Sequence, residues 1–138
     1  NGENMPNLTI VRGIPGSGKS TYAKSLKVMH LETDMFFMNG TKYEFNADLI
    51  VQAHNWCKNM ARKIMRTGVD LVVSNTFTCH WEFADYIRYA REFGYEVKVV
   101  HCVGNFVNVH GCPAEKIELM KEKYEPYKGE IIYDPTKG

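Results

Sequence analysis

Eight residues near the N-terminus, Gly13-Ile14-Pro15-Gly16-Ser17-Gly18-Lys19-Ser20, place three glycines, a lysine and a hydroxyl at spacings suited to gripping a phosphate chain. Glycine at positions 13, 16 and 18 lets the backbone adopt conformations closed to other residues and approach an anion closely. The loop N–H groups and the N-terminus of a following helix then face that anion. Lys19 supplies a positive charge for the β- and γ-phosphates, and Ser20 a hydroxyl for Mg²⁺. This is the pattern of a phosphate-binding P-loop, and its context agrees, with a strand-like run before it and a helical pattern after it. Gly13, Pro15, Gly16, Ser17, Gly18, Lys19, Ser20 and Thr21 form the expected ATP-binding set.

Phosphoryl transfer to a hydroxyl also needs a group that orients or deprotonates the acceptor. Asp34 is the candidate, with Lys19 as its partner in catalysis. It follows the second strand-like run, and open α/β sheets bind ligands at the carboxyl ends of their strands. Ser74-Asn75-Thr76 ends a later strand where such sites often carry a metal-holding acid, and no acid stands there. Asn75 and Thr76 either hold a metal-bound water or substrate, or cap a turn. His54 lies in a largely apolar helical pattern and reads as structural. His101, Cys102, His110 and Cys112 are close enough in sequence to suggest a metal set, but Cys102 ends an apolar run and reads better as a buried free thiol.

These residues require a scaffold that brings strand ends together. Leu8 to Arg12 is apolar and β-branched and stops at Gly13, as a buried strand does. Helix is expected from Lys19 to about Leu26, and a weaker strand from Val28 to Glu32. Met35 to Phe45, which contains Asn39-Gly40, reads as a loop. Asn46 caps a long helix that Gly68 stops after Thr67. Lys58, Arg62, Lys63 and Arg66 give that helix a basic side, either solvated or facing substrate. Strands are expected at Asp70 to Ser74, Val97 to Cys102 and Ile131 to Tyr133. Helices are expected from Glu82 to Phe93 and from Pro113 to about Tyr124. Strands alternating with helices imply an α/β fold with crossover connections and a mostly parallel sheet.

The bulk composition sets outer limits. The 138 residues fit one domain over residues 8–138, with residues 1–7 expected to be a flexible N-terminus. Lys and Arg number 17 against 16 Asp and Glu, so bulk charge does not make this a general nucleic-acid binder. No run reaches the roughly 18 apolar residues of a membrane helix. The cysteines include no C-x-x-C pair, and reduced thiols point to the cytoplasm.

Several short segments add a family resemblance. The P-loop, Thr33-Asp34, Ser74-Asn75-Thr76 and Gly94-Tyr95 resemble the kinase domain of bacteriophage-type polynucleotide kinase. Ala53-His54, Trp56, Trp81-Glu82, Asn108-Val109-His110-Gly111 and Glu115-Lys116-Ile117 resemble related ATP-binding domains of animals and phages. The resemblance runs from Leu8 to Tyr124. It implies a three-layer P-loop NTPase fold with a five-stranded sheet, ATP and Mg²⁺ as cofactors, and Asp34 as general base. It further implies transfer of the γ-phosphate to a hydroxyl, with a polynucleotide 5′ end as one acceptor, in phage or host-cell cytoplasm. The alternatives are a nucleoside, nucleotide or other small-metabolite acceptor, or an ATP-binding module with little turnover. Two positions depart from the family. Val107 stands where its lid carries an arginine, leaving Arg12, Lys116 or Lys121 as substitute cations, and Met35 follows Asp34 where relatives carry a second acid.

Overall fold

The computed structural model describes residues 4–106 and 111–137. In chain order its elements are β1 (Asn7–Arg12), α1 (Lys19–Ser25), β2 (Met29–Leu31), β3 (Met38–Asn39), β4 (Lys42–Tyr43), α2 (Ile50–Thr67), β5 (Leu71–Ser74), α3 (Trp81–Glu92), β6 (Glu96–Cys102), α4 (Ala114–Lys123) and β7 (Ile131–Tyr133). Five strands form one parallel sheet in the order β2-β5-β1-β6-β7, and β3 pairs with β4 in a separate antiparallel hairpin. The central strand β1 sets Val11 opposite Ser74 of β5 and Val100 of β6.

The continuous apolar runs are explained by a sheet that is covered on both faces. Leu8, Ile10, Leu71, Val73 and Val99 point one way, into a core closed by Cys57, Ala61 and Met65 of α2 and Phe83, Tyr86 and Ala90 of α3. Val11, Val72, Val100 and Cys102 alternate to the other face and pack on Ala23 of α1, with Tyr22 and Leu26 beside it. Helix α4 has no buried residue and lies at the periphery.

The helix ends follow local chemistry. The Asn46 side chain accepts from the Asp48 N–H at 3.0 Å and starts a 3₁₀ turn, Ala47–Leu49, that leads into α2. Gly68 ends α2 in the left-handed region at φ 79°. The segment expected as a loop has more order than its sequence suggests. Thr33–Phe37 forms a 3₁₀ helix, and the β3–β4 hairpin turns at Gly40, whose φ of 65° suits a two-residue turn. Ring packing supplies the missing stability, because Phe37 is buried and takes Tyr43 and Phe45 edge-on at 6.3 and 5.0 Å.

Arg12 is the one fully buried charged residue of the described set, and it is not a substitute lid cation. Its Nε and Nη2 donate to the Phe77 carbonyl at 3.0 and 2.7 Å, and Nη2 also reaches the Thr78 carbonyl at 3.1 Å. Nη1 pairs with Glu130 Oε1 at 3.0 Å, and the guanidinium lies 4.9 Å from the Phe83 ring centre and 4.4 Å from that of Tyr124. Breaking such a buried pair costs about 3–5 kcal/mol. Arg12→Met is therefore expected to lose stability of that order in urea denaturation. Arg12→Lys recovers only part, because one ammonium cannot reproduce the fork.

Candidate functional site

The P-loop links the C-terminal end of central strand β1 to the N-terminus of α1. Gly13 has no room for a side chain: a Cβ there would lie 2.3 Å from Ser17 Oγ and 2.6 Å from the Cys102 carbonyl oxygen. Gly18 precedes α1 at φ 96°, a backbone state that favours glycine. The loop is braced from outside, since the Gly104 N–H donates to the Ser17 carbonyl at 3.0 Å and the Phe106 N–H to the Gly16 carbonyl at 2.7 Å. Pro15 lies within this loop and Thr21 in the first turn of α1.

Two features of the loop fit an anion. Ser17 Oγ is buried and has no hydrogen-bond partner, an orphan that a phosphate oxygen would satisfy. Lys19 Nζ donates to the Ile14 carbonyl at 3.0 Å. Burial pushes the Lys19 pKa down, against the fields of Cys102, Glu32 and Asp34.

Glu32 is the residue the sequence reading passed over. Ser20 Oγ donates to Glu32 Oε2 at 2.8 Å, and Ser74 Oγ donates to the same oxygen at 3.1 Å. An acid does stand at the P-loop serine, but it comes from the end of β2 rather than from β5. A carboxylate and a hydroxyl converging in this way form a donor set for a hard cation such as Mg²⁺. The only sequence signal was an acid two residues before Asp34 at the end of an edge strand.

Asp34 sits in the first turn of the 3₁₀ helix that follows β2. Tyr43, on β4, donates its hydroxyl to Asp34 Oδ1 at 3.1 Å. Burial and the Asp34 charge push the Tyr43 pKa up, so this hydroxyl stays a donor. Asn75 Oδ1 accepts from the Thr33 N–H at 2.7 Å and locks the turn that carries Asp34 onto β5. The Thr76 carbonyl accepts from Gly13 N–H at 3.3 Å and from Tyr124 OH at 3.0 Å. These bonds brace turns, as the turn-capping reading of Asn75 and Thr76 expects. His54 joins the same support through Thr33 Oγ1, 3.3 Å from its Nδ1.

Other candidates fall elsewhere. Lys58 and Arg62 pair with Asp85 and Glu92 of α3, so that side of α2 faces its neighbour helix. His101 stacks on Tyr124, Cys102 is buried, and no group of three potential metal ligands occurs among the described residues. Val107 and His110 lie outside the described residues. One surface cleft, about 540 Å³, is lined by Arg91, Val97 and Lys98 among others, near the N-terminal end of β6. A second cleft, about 420 Å³, adjoins the P-loop at Ile14, Cys102 and Gly104. No helix of the described residues is long and apolar enough to cross a membrane.

A family model described as an AAA domain matches residues 8–104, which hold the whole P-loop, Asp34 and Asn75. The chain belongs to this AAA-domain family. The AAA domain is 29% identical over 136 residues to human NEDD4-binding protein 2, covering 87% of this chain but only 8% of that much longer protein. Its fold is that of kinase-like P-loop proteins. A structure of a putative kinase from Chloroflexus aurantiacus superposes with a TM-score of 0.70 at 16% identity, covering 94% of this chain and 88% of that one. The Mycobacterium tuberculosis APS kinase CysC, in complex with AMPPNP and APS, gives 0.63 at 15% identity, covering 97% and 91%. A chain of a Pnkp1/Rnl/Hen1 complex gives 0.64 at 16% identity, covering 91% of this chain and 44% of that one.

Three histidines around the sheet end share one electrostatic sign. Burial lowers the pKa of His30, His54 and His101, with Glu32, Glu82 and Glu130 respectively opposing it. In the unfolded chain each takes up its proton near the ordinary value of about 6.5. Between that value and the lower folded ones, the unfolded state binds more protons, so acidification favours unfolding. Their contribution is complete above pH about 6.5 and is lost as pH falls below it. The thermal midpoint is expected to drop between pH about 7 and 5.5, and His30→Asn to flatten that slope.

Proposed function

We propose that the AAA domain is an ATP-dependent kinase that phosphorylates a hydroxyl, with a polynucleotide 5′-hydroxyl as the acceptor. The observation that carries this reading is the bond from Ser20 of the P-loop to Glu32, with Asp34 two residues further on, where β1, β5 and β2 end side by side. A phosphate grip, a hard-cation donor pair and a carboxylate for the acceptor are the parts phosphoryl transfer needs. Bound ATP with Mg²⁺ would supply the phosphoryl group and neutralise its charge. The loop N–H groups, Ser17 and Lys19 would hold the phosphates, and Ser20 with Glu32 would hold the cation. Asp34 receives the acceptor's proton as the new O–P bond forms and the β–γ bridge breaks.

A second reading, a nucleoside, nucleotide or other small-metabolite acceptor, is favoured by the uncharged run Met35-Phe36-Phe37-Met38 beside Asp34. The fold similarity to APS kinase is compatible with it. Labelled ATP offered with a 5′-hydroxyl oligonucleotide and with nucleosides separates the two. ATP binding without transfer to any acceptor would leave an ATP-binding module with little turnover.

Asp34→Asn is expected to lower transfer roughly 100-fold or more while ATP affinity, by calorimetry, changes little. Lys19→Ala is expected to weaken ATP binding itself, and an unchanged affinity would remove the P-loop assignment. Glu32→Gln is expected to raise the Mg²⁺ concentration for half-maximal nucleotide binding by roughly tenfold or more. Titration of Mg²⁺ against a non-hydrolysable ATP analogue reads this without turnover.

A further inference from the structure

The hairpin beyond Asp34 carries a ring surface that neither the core nor the phosphate site uses. Tyr43 and Phe45 are two residues apart, so their side chains leave the chain on the same side. Their rings are close to parallel, 19° between planes with centroids 6.5 Å apart. Phe37 wedges under both, and Phe36 continues the group to Trp56 at 6.0 Å. The result is a supported shelf rather than a buried cluster, because Phe45 remains 52% exposed. Polar side chains border it: Asn39 and Glu44 are hydrogen-bonded to each other at 2.8 Å, and Lys42 is exposed.

The shelf is fastened to the proposed chemistry through the Tyr43 hydroxyl, which donates to Asp34. A molecule presenting a hydroxyl to Asp34 would therefore come beside Tyr43, whose ring lies next to that of Phe45. An exposed, rigid, flat apolar face framed by polar groups suits another flat ring, and base–aromatic stacking is worth about 1–3 kcal/mol per base.

We propose that Tyr43 and Phe45 form the acceptor's base-stacking subsite, so that the group phosphorylated is a hydroxyl of a nucleoside unit whose base lies on this shelf. This rests on the reading of Asp34 as the acceptor's base. It selects nucleoside-bearing acceptors over sugars and other ring-free metabolites, and it makes Phe45 a specificity-determining residue.

The test compares a 5′-hydroxyl oligonucleotide with the same oligonucleotide ending in an abasic residue, and free nucleoside with ribose. Both pairs are run on wild type, Phe45→Ala and Phe45→Leu. The leucine variant keeps an apolar cap on Phe37 and lacks only the flat face. Wild type is expected to favour the base-bearing member by roughly ten- to a hundredfold in kcat/KM, through KM. Both variants are expected to bring that ratio near one. Which pair shows the preference identifies the source, a nucleic-acid end or a free nucleoside.

A wild-type ratio near one, or a ratio kept in both variants, overturns the shelf and leaves the kinase reading intact. Should no acceptor be phosphorylated, anisotropy titration of the labelled oligonucleotides decides. Base-dependent binding that Phe45→Leu removes upholds the shelf and rejects the kinase reading. Binding indifferent to the base rejects both.

Discussion

Arg12 is the interaction around which the carboxyl end of the sheet is assembled. It is the last residue of β1, one step before the phosphate loop, and its side chain is fully buried. A guanidinium there is tolerable only when its donors are met and its faces covered. Phe77 and Thr78 carbonyls, Glu130 and the rings of Phe83 and Tyr124 do this together. These partners come from three parts of the chain: Phe77, Thr78 and Phe83, then Tyr124, then Glu130. The charge therefore ties the β5–α3 connection, the end of α4 and the entry to β7 to one point. Phe77 has a left-handed backbone at φ 45°, unusual for a bulky residue, and its carbonyl takes two of the Arg12 bonds.

That anchoring leaves the other side of β1 for chemistry. Strand order puts β5 and then β2 beside β1, so the P-loop, the Asn75 turn and the Glu32–Asp34 segment end side by side. The hydrogen bonds run across these ends: Ser20 to Glu32, Ser74 to Glu32, Asn75 to the Thr33 N–H. His30, 2.7 Å from Ser74 Oγ, extends the chain of contacts into the sheet. Because these groups sit on strand ends and short turns, their spacing is set by sheet register rather than by loop mobility.

The fold comparisons divide the molecule in the same way. A putative kinase, an APS kinase and a chain of a Pnkp1/Rnl/Hen1 complex share the fold at low sequence identity. Acceptor preference has to be written in segments attached to that frame. In this chain the segment next to Asp34 is the small aromatic hairpin, uncharged where it meets the acid and stiffened by Phe37.

The sequence by itself determined whatever depends on neighbours along the chain. The P-loop is a contiguous octapeptide whose glycines answer backbone geometry at their own positions. The strand and helix alternation, the Asn46 cap and the Gly68 stop are likewise local, and the α/β class follows from them. Asp34 could be singled out as a candidate because it closely follows a strand. Tertiary structure decided the rest, for a physical reason: an acid or a cation has no role until something distant meets it. Arg12 ends a strand like a ligand-facing cation, yet its partners lie 65, 66 and 118 positions away. Glu32 is an ordinary strand-end acid until α1 and β2 are packed on the sheet and Ser20 comes within 2.8 Å. Tyr43 reads as part of a loop until Phe37 folds the hairpin back and sets its hydroxyl against Asp34.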